Sequence, residues 1–128
     1  LRPCDGAKVS PRPLTEAALA EELVDSVLVV NATPLGMRPL EGETPVPSRL
    51  LRSDLAVFDL VYDPENTRLL TEAREVGAKT IDGISMLVHQ GAESFRVWTG
   101  RNPPTSVMMQ AVRGALRVRA PGLEGRAH

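Results

Sequence analysis

The stretch Ile81–Trp98, IDGISMLVHQGAESFRVW, joins the end of a strand to a long helix, and the rest of the chain is arranged around it. A short run at Thr80–Ile81 stops at Asp82–Gly83. From there Ile84, Leu87, Val88, Gly91, Phe95 and Trp98 recur with a period of 3.6, the stripe of a helix that buries one side in a core. Gly83, Met86 and Gln90 fall on a second stripe, at i, i+3 and i+7. One helix is therefore expected to pack one side and to offer another, holding a lone amide, to something else. Periodicity leaves Gln90 two readings, a solvated helix residue or a ligand contact, because Gln is mostly exposed in folded proteins.

Upstream, Val27–Leu28–Val29–Val30 is a continuous β-branched apolar run that halts at Asn31–Ala32–Thr33–Pro34–Leu35–Gly36–Met37. A second run, Leu55–Ala56–Val57–Phe58–Asp59–Leu60–Val61–Tyr62, halts at Asp63–Pro64. Both carry the signature of strands buried on two faces in a parallel sheet. A third short strand is expected at 79–81. Helices are expected at 14–23, with Thr15 as N-cap, and at 66–76, with Gly77 as stop. Another follows at 105–118, its apolar side formed by Met108, Ala111, Val112 and Ala115. Gly100 and Pro103–Pro104 close the central helix. Residues 38–54 read as a polar, proline-rich excursion with one helical turn near 48–52. Residues 1–13 read as an irregular lead-in, and 119–128 as a disordered tail beyond one domain at 1–118.

Strands alternating with helices give an α/β layer with a parallel sheet. Ligands of such sheets bind beyond the carboxyl ends of the strands. Here those ends are Asn31-Ala-Thr-Pro34, Asp59-Leu-Val-Tyr62 and Asp82-Gly83, all expected along one edge, where the Gly83–Met86–Gln90 stripe also begins. Ordinary turn chemistry is the competing reading of the same residues.

Composition narrows the chemistry. The 128 residues make one domain or part of one, with 42% hydrophobic and 24% charged residues. A net charge of −1 leaves no electrostatic footprint for nucleic acid or an anionic membrane. No apolar run approaches the roughly 20 residues that span a bilayer, and no signal-peptide pattern opens the chain. The lone Cys4 rules out an internal disulfide, fits a reducing compartment and has no neighbouring base. The chain opens on Leu1, not Met, as expected of a fragment or a processed product. His89 and His128 are far apart in sequence, and His89 falls on the outer side of its helix. Neither a zinc-ligand spacing nor a Ser-His-Asp arrangement is present. Lys8 and Lys79 are the only lysines, and neither falls at the strand-end edge. Gly36, Gly42, Gly77 and Gly83 lack G-x-G-x-x-G spacing, so a doubly wound nucleotide fold would be missing the half with its phosphate-binding turn.

Taken together, Asn31-Ala-Thr-Pro-Leu-Gly-Met37, Asp59-Leu-Val-Tyr-Asp-Pro64, Thr67 with Leu69-Leu70, Asp82-Gly83 with Met86-Leu-Val88, Gln90-Gly-Ala-Glu-Ser-Phe95 and Trp98-Thr-Gly100 resemble the shikimate dehydrogenase family over about residues 14–116. The resemblance implies a Rossmann-like parallel sheet with flanking helices, here the incomplete second half of a doubly wound domain. It implies NADP as cofactor and shikimate or 3-dehydroshikimate as substrate, interconverted in the cytoplasm on the way to aromatic amino acids. Gln90 matches the family glutamine that bonds a substrate hydroxyl, and Tyr62 the tyrosine near the substrate carboxylate. Leu60 and Gly83 match backbone contacts to the nicotinamide end of the cofactor, and Met86 a methionine packed beside it. Ala32, Thr33 and Pro34 match the loop beside the cofactor's ribose and pyrophosphate.

The family's catalytic Lys–Asp pair, its glycine-rich turn and its 2′-phosphate segment have no counterpart here. No catalytic residue and no metal ligand are therefore expected in this chain, and by itself it is expected to be inactive. A quinate/shikimate dehydrogenase and a non-catalytic association or regulatory module are the alternatives. The resemblance further implies that Met108 and Val112 would lack a partner without the family's first domain, while Phe95 and Trp98 are read as core. Half a sheet leaves an open edge and an uncovered face, so a homo-oligomer of the fragment is expected.

Overall fold

The computed structural model describes Gly6 and residues 8–119. Residues 1–5, with Cys4, residue 7 and the tail from residue 120, with His128, lie outside the described residues. Seven elements follow in order: α1 (Glu16–Leu23), β1 (Leu28–Asn31), β2 (Ala56–Asp59), α2 (Arg68–Glu75), β3 (Lys79–Ile81), α3 (Gly83–Thr99) and α4 (Thr105–Arg119), with a single 3-10 turn at Ser48–Leu50 between β1 and β2. The three strands are parallel in the order β1-β2-β3. The α/β layer and the sequence of elements agree with the reading from the chain. The last helix extends through Arg119, one residue into the segment read as tail.

The starts of α1, α2 and α3 are set locally. Thr15 Oγ1 accepts from Ala18 N at 3.3 Å, Thr67 Oγ1 from Leu70 N at 3.3 Å, and Asp82 Oδ1 from Ser85 N at 3.2 Å. These side chains satisfy amides that have no partner within the first helical turn. Gly100, with φ of 67°, closes α3 through its N–H to Arg96 O at 2.9 Å. At the other end of α1, Arg52 donates to the carbonyls of Leu23 and Ser26 and from Nε to Asp54 at 2.9 Å. One guanidinium thus collects the carbonyls around the end of the helix and pins the loop before β2.

Register places Val29, Asn31, Val57 and Asp59 on one face of the sheet. That face carries the core: Val57, Leu69, Leu70, Ala73 and Ala78 pack with Leu23 of α1 and with Val46, Leu51 and Leu55. The excursion between β1 and β2 is therefore not merely polar, since Val46 and Leu51 thread through the core. The opposite face holds Leu28, Val30, Phe58 and Ile81. Here the expectation of strands buried on both faces fails: Leu28 is 50% exposed and Val30 48%. None of the helices formed by the described residues covers this part of the sheet.

Helix α3 buries Gly83, Ile84, Val88 and Ala92 and packs along α4. The apolar stripe slips off the core at its far end. Phe95 is half-buried, and Trp98 is 82% exposed. Reading Trp98 as core is thus corrected; α3 runs past the body of the domain before Gly100 turns the chain. The expectation that Met108 and Val112 lack a partner is also corrected. Both are half-buried, and the Met108 Cε lies 3.2 Å from where a Cβ on Gly91 would stand. On α4 the partly buried residues are Met108, Met109, Val112 and Leu116, whereas Ala111 and Ala115 are exposed.

Candidate functional site

Asn31 and Asp59 are paired in the register and end neighbouring strands. Both are buried, Asp59 completely. Asn31 donates from Nδ2 to Asp59 Oδ1 at 2.9 Å and to Leu35 O at 3.1 Å. Its Oδ1 accepts from Thr33 N at 2.9 Å and from Thr33 Oγ1 at 2.7 Å. Asp59 Oδ1 also accepts from Val61 N at 3.0 Å, and Oδ2 accepts from Thr67 Oγ1 at 2.7 Å. The carboxylate is met by neutral donors; among the described residues no ion pair reaches it. A charge can be buried in this way when its oxygens are fully hydrogen-bonded.

The two strand-end segments held by this network line a cleft of about 520 Å³. Ala32, Thr33, Pro34, Met37 and Arg38 form one wall, and Leu60, Val61, Tyr62 and Asp63 the other. Of the residues singled out from the sequence, Ala32, Thr33, Pro34, Leu60 and Tyr62 are brought together here. Met86 and Gln90 open instead onto a second depression of about 490 Å³, with Phe58, Ser85, His89 and Glu93. Gln90 and His89 are exposed, and Met86 is half-buried.

Gly83 lines neither depression. A Cβ there would stand 2.5 Å from both Leu60 O and Val61 O. The glycine is thus required for α3 to start directly against the carboxyl end of β2. That close contact sets the Met86–Gln90 side of α3 relative to the cleft, and it gives Gly83 a role within the chain.

Arg38 is the cation of the cleft, a residue that pattern reading passed over. Its Nε lies 3.4 Å from Glu41 Oε1 and its Nη2 3.7 Å from Asp63 Oδ1. The signal available in the sequence was its place directly after the Asn31–Met37 strand-end segment. Arg113 of α4 reaches the same edge of the sheet, with Nη2 3.8 Å from Asp82 Oδ2 and Nε 3.9 Å from Glu65 Oε1. Among the described residues no cluster of His, Cys, Asp and Glu could hold a metal ion. No helix of the described residues is long and apolar enough to cross a membrane.

The family described as "Shikimate 5'-dehydrogenase C-terminal domain" matches residues 83–113. The "Shikimate dehydrogenase (NADP(+))" of Dehalococcoides mccartyi strain CBDB1 is 50% identical over 103 residues, covering 80% of this chain and 36% of that protein. The crystal structure of the Thermus thermophilus shikimate 5-dehydrogenase in complex with NADP(H) and shikimate is 42% identical, with a TM-score of 0.71, over 76% of this chain and 37% of that one. The quinate dehydrogenase of Corynebacterium glutamicum in complex with NAD is 36% identical, with a TM-score of 0.72, over 77% and 35%. The chain thus spans a little over a third of the length of the proteins it matches.

Proposed function

We propose that this chain, a match to the C-terminal part of the shikimate dehydrogenases over 80% of its length, supplies one side of the cofactor and substrate site of an NADP-dependent shikimate dehydrogenase. The observation that carries the reading is the coincidence of two things. The residues resembling that family, Ala32–Pro34 and Leu60–Tyr62, form the two walls of one cleft at the carboxyl ends of parallel strands.

In this reading Ala32, Thr33 and Pro34 border the ribose and pyrophosphate of the cofactor. Leu60 presents backbone to its nicotinamide end, Gly83 contributes by seating α3 against the Leu60 and Val61 carbonyls, and Met86 gives an adaptable apolar surface beside the nicotinamide. The residues fit such a group: the cleft and the Met86–Gln90 depression are each of a size to receive part of a dinucleotide. When bound, NADP(H) supplies the hydride chemistry that interconverts 3-dehydroshikimate and shikimate, a step of aromatic amino acid biosynthesis assigned to the cytoplasm. Gln90 gives a neutral donor and acceptor for a substrate hydroxyl, and Tyr62 a phenol for its carboxylate. Their contribution is orientation, which in well-aligned reactions is worth several kcal/mol of the barrier. The proton-transferring pair and the phosphate-binding turn would have to come from polypeptide outside this chain, so the chain alone is expected to be inactive and to bind NADP weakly.

The likeness to the Corynebacterium quinate dehydrogenase supports a second reading, a quinate or quinate/shikimate dehydrogenase. One experiment addresses both. The natural gene product carrying this chain is assayed for oxidation of shikimate and of quinate with NADP+ and NAD+, beside its Gln90→Ala variant. Shikimate oxidation with NADP+, reduced about tenfold or more by Gln90→Ala, is expected. Quinate oxidation in its place would favour the second reading. No turnover of either by a folded product would overturn both and leave an association or regulatory role.

A further inference from the structure

The Asn31–Asp59 pair joins more than two strands. Thr33 belongs to one wall of the cleft and Val61 to the other, and neither bonds to the other through its side chain. Besides the backbone bond from Leu60 N to Asn31 O at 3.0 Å that closes the strand ladder, a side-chain path connects them, Thr33–Asn31–Asp59–Val61, with links of 2.7 and 2.9, 2.9, and 3.0 Å. On its far side Asp59 holds Thr67 at 2.7 Å, and Thr67 caps α2. The carboxylate end of the assembly is sealed from water, with Asp59 and Thr67 both at 0% exposure and Asn31 at 3%, while half-buried Thr33 faces the cleft.

From this geometry we infer that Asp59 is the positioning residue of the candidate site. Its buried carboxylate fastens both walls of the cleft and the start of α2 to one point, so that the cleft is shaped before any ligand enters. Asp59 touches no space open to a ligand; it acts through Thr33 and Val61. The inference rests on the proposed function only for what the cleft receives.

The physical reason for an acid here is count and reach. Three donors from three different segments converge on two oxygens in a dry setting, where each bond is stronger than in water and an unmet donor is costly. Asn at this position could still accept from Asn31 and Val61 with its oxygen and offer its amide to Thr67 Oγ1. Ala could do neither.

Amide hydrogen exchange on the 128-residue chain tests this without any ligand. In Asp59→Ala the amides of Thr33 and Val61 are expected to exchange about tenfold faster together, while those of α3 at Val88 and Ala92 keep their protection. Asp59→Asn is expected to restore most of the protection at both. If Asp59→Ala fails to fold, Asn31→Ala carries the test, because the Asn31 side chain does not touch Val61. Faster exchange at Val61 in that variant supports the coupling, and an unchanged Val61 overturns it. Equal acceleration of every amide, α3 included, also overturns it and reduces Asp59 to general stability. Because no cofactor or substrate is added, failure here leaves the dehydrogenase reading standing, and failure of shikimate turnover leaves the exchange pattern standing.

Discussion

Two glycines of α3 look alike in sequence and differ in consequence. At Gly83 an added methyl meets two backbone carbonyls at 2.5 Å, which cannot yield without moving the end of β2. Gly83→Ala is expected to cost about 2–3 kcal/mol, read from the urea midpoint. At Gly91 the neighbour is the tip of Met108, a flexible side chain, at 3.2 Å. Helix propensity favours Ala by up to about 1 kcal/mol, so Gly91→Ala is expected to be neutral or slightly stabilising in the same measurement. A gain at Gly83, or a large loss at Gly91, would contradict this account of how α3 is seated. The sequence marked Gly83 as special because of its place after a strand. The reason, contact with Leu60 and Val61 carbonyls, required the register of β2 against α3, which no local pattern contains.

Asp54 gives a pH dependence at the same scale. The hydrogen bonds from Arg52 hold the Asp54 carboxyl below its usual range, against an opposing effect of desolvation and with the Arg52 charge adding to them. A depressed folded-state pKa means stability that is present above the unfolded value and is lost as pH falls through the folded one. Asp54→Asn should therefore lower the urea midpoint slightly at pH 7. The difference should begin to shrink as pH drops below about 4 and be lost as pH falls through the lower folded-state value, and because the pair is exposed it should shrink in salt. A difference that does not shrink at all as pH is lowered from 7 into the acid range would rule the mechanism out.

At the scale of elements, α2 depends on Thr67 for two separate things. Its Oγ1 caps the helix and at the same time donates to Asp59. Thr67→Val keeps the shape and removes both, and is expected to cost about 2–3 kcal/mol in urea denaturation with little change in the slope. A loss under about 1 kcal/mol would mean that the cap alone is felt and the carboxylate finds another donor.

Most elements were legible beforehand because their signals are local: β-branched runs for β1 and β2, a cap at Thr15, and glycine stops at Gly77 and Gly100. What escaped was tertiary. Val46 stands alone between Pro45 and Pro47 and Leu51 follows Leu50 between arginines, and only the fold of the excursion brings them into the core. Trp98 fits the α3 stripe by period, yet the core ends before it. The candidate site was legible to the same extent. The strand ends announced Ala32–Pro34 and Leu60–Tyr62, but the split between their cleft and the Met86–Gln90 depression depends on how α3 leaves β3.

For the molecule as a whole, the exposed face of the sheet is the feature with consequences in solution. Leu28 and Val30 stand on it, Ile81 is exposed on the same face beyond Phe58, and among the described residues β1 has a free edge. Exposed apolar surface beside an unpaired strand favours association. The isolated chain is expected to sediment as a dimer or larger species at roughly tens of micromolar, with Leu28→Thr/Val30→Thr shifting it toward monomer. A clean monomer for the unaltered chain at that concentration would mean the face is tolerated in water.

The central claim is that these residues form one side of a shikimate dehydrogenase site, and a chimera tests it most directly. The matching region of the Dehalococcoides enzyme, 50% identical over 103 residues, is replaced by the corresponding segment of this chain, and NADP+-dependent oxidation of shikimate is measured. The expected result is an active chimera whose turnover falls about tenfold or more on Gln90→Ala and whose kcat/KM drops on Tyr62→Phe mainly through a higher KM. A folded chimera with no activity, or one indifferent to Gln90→Ala, would contradict the claim.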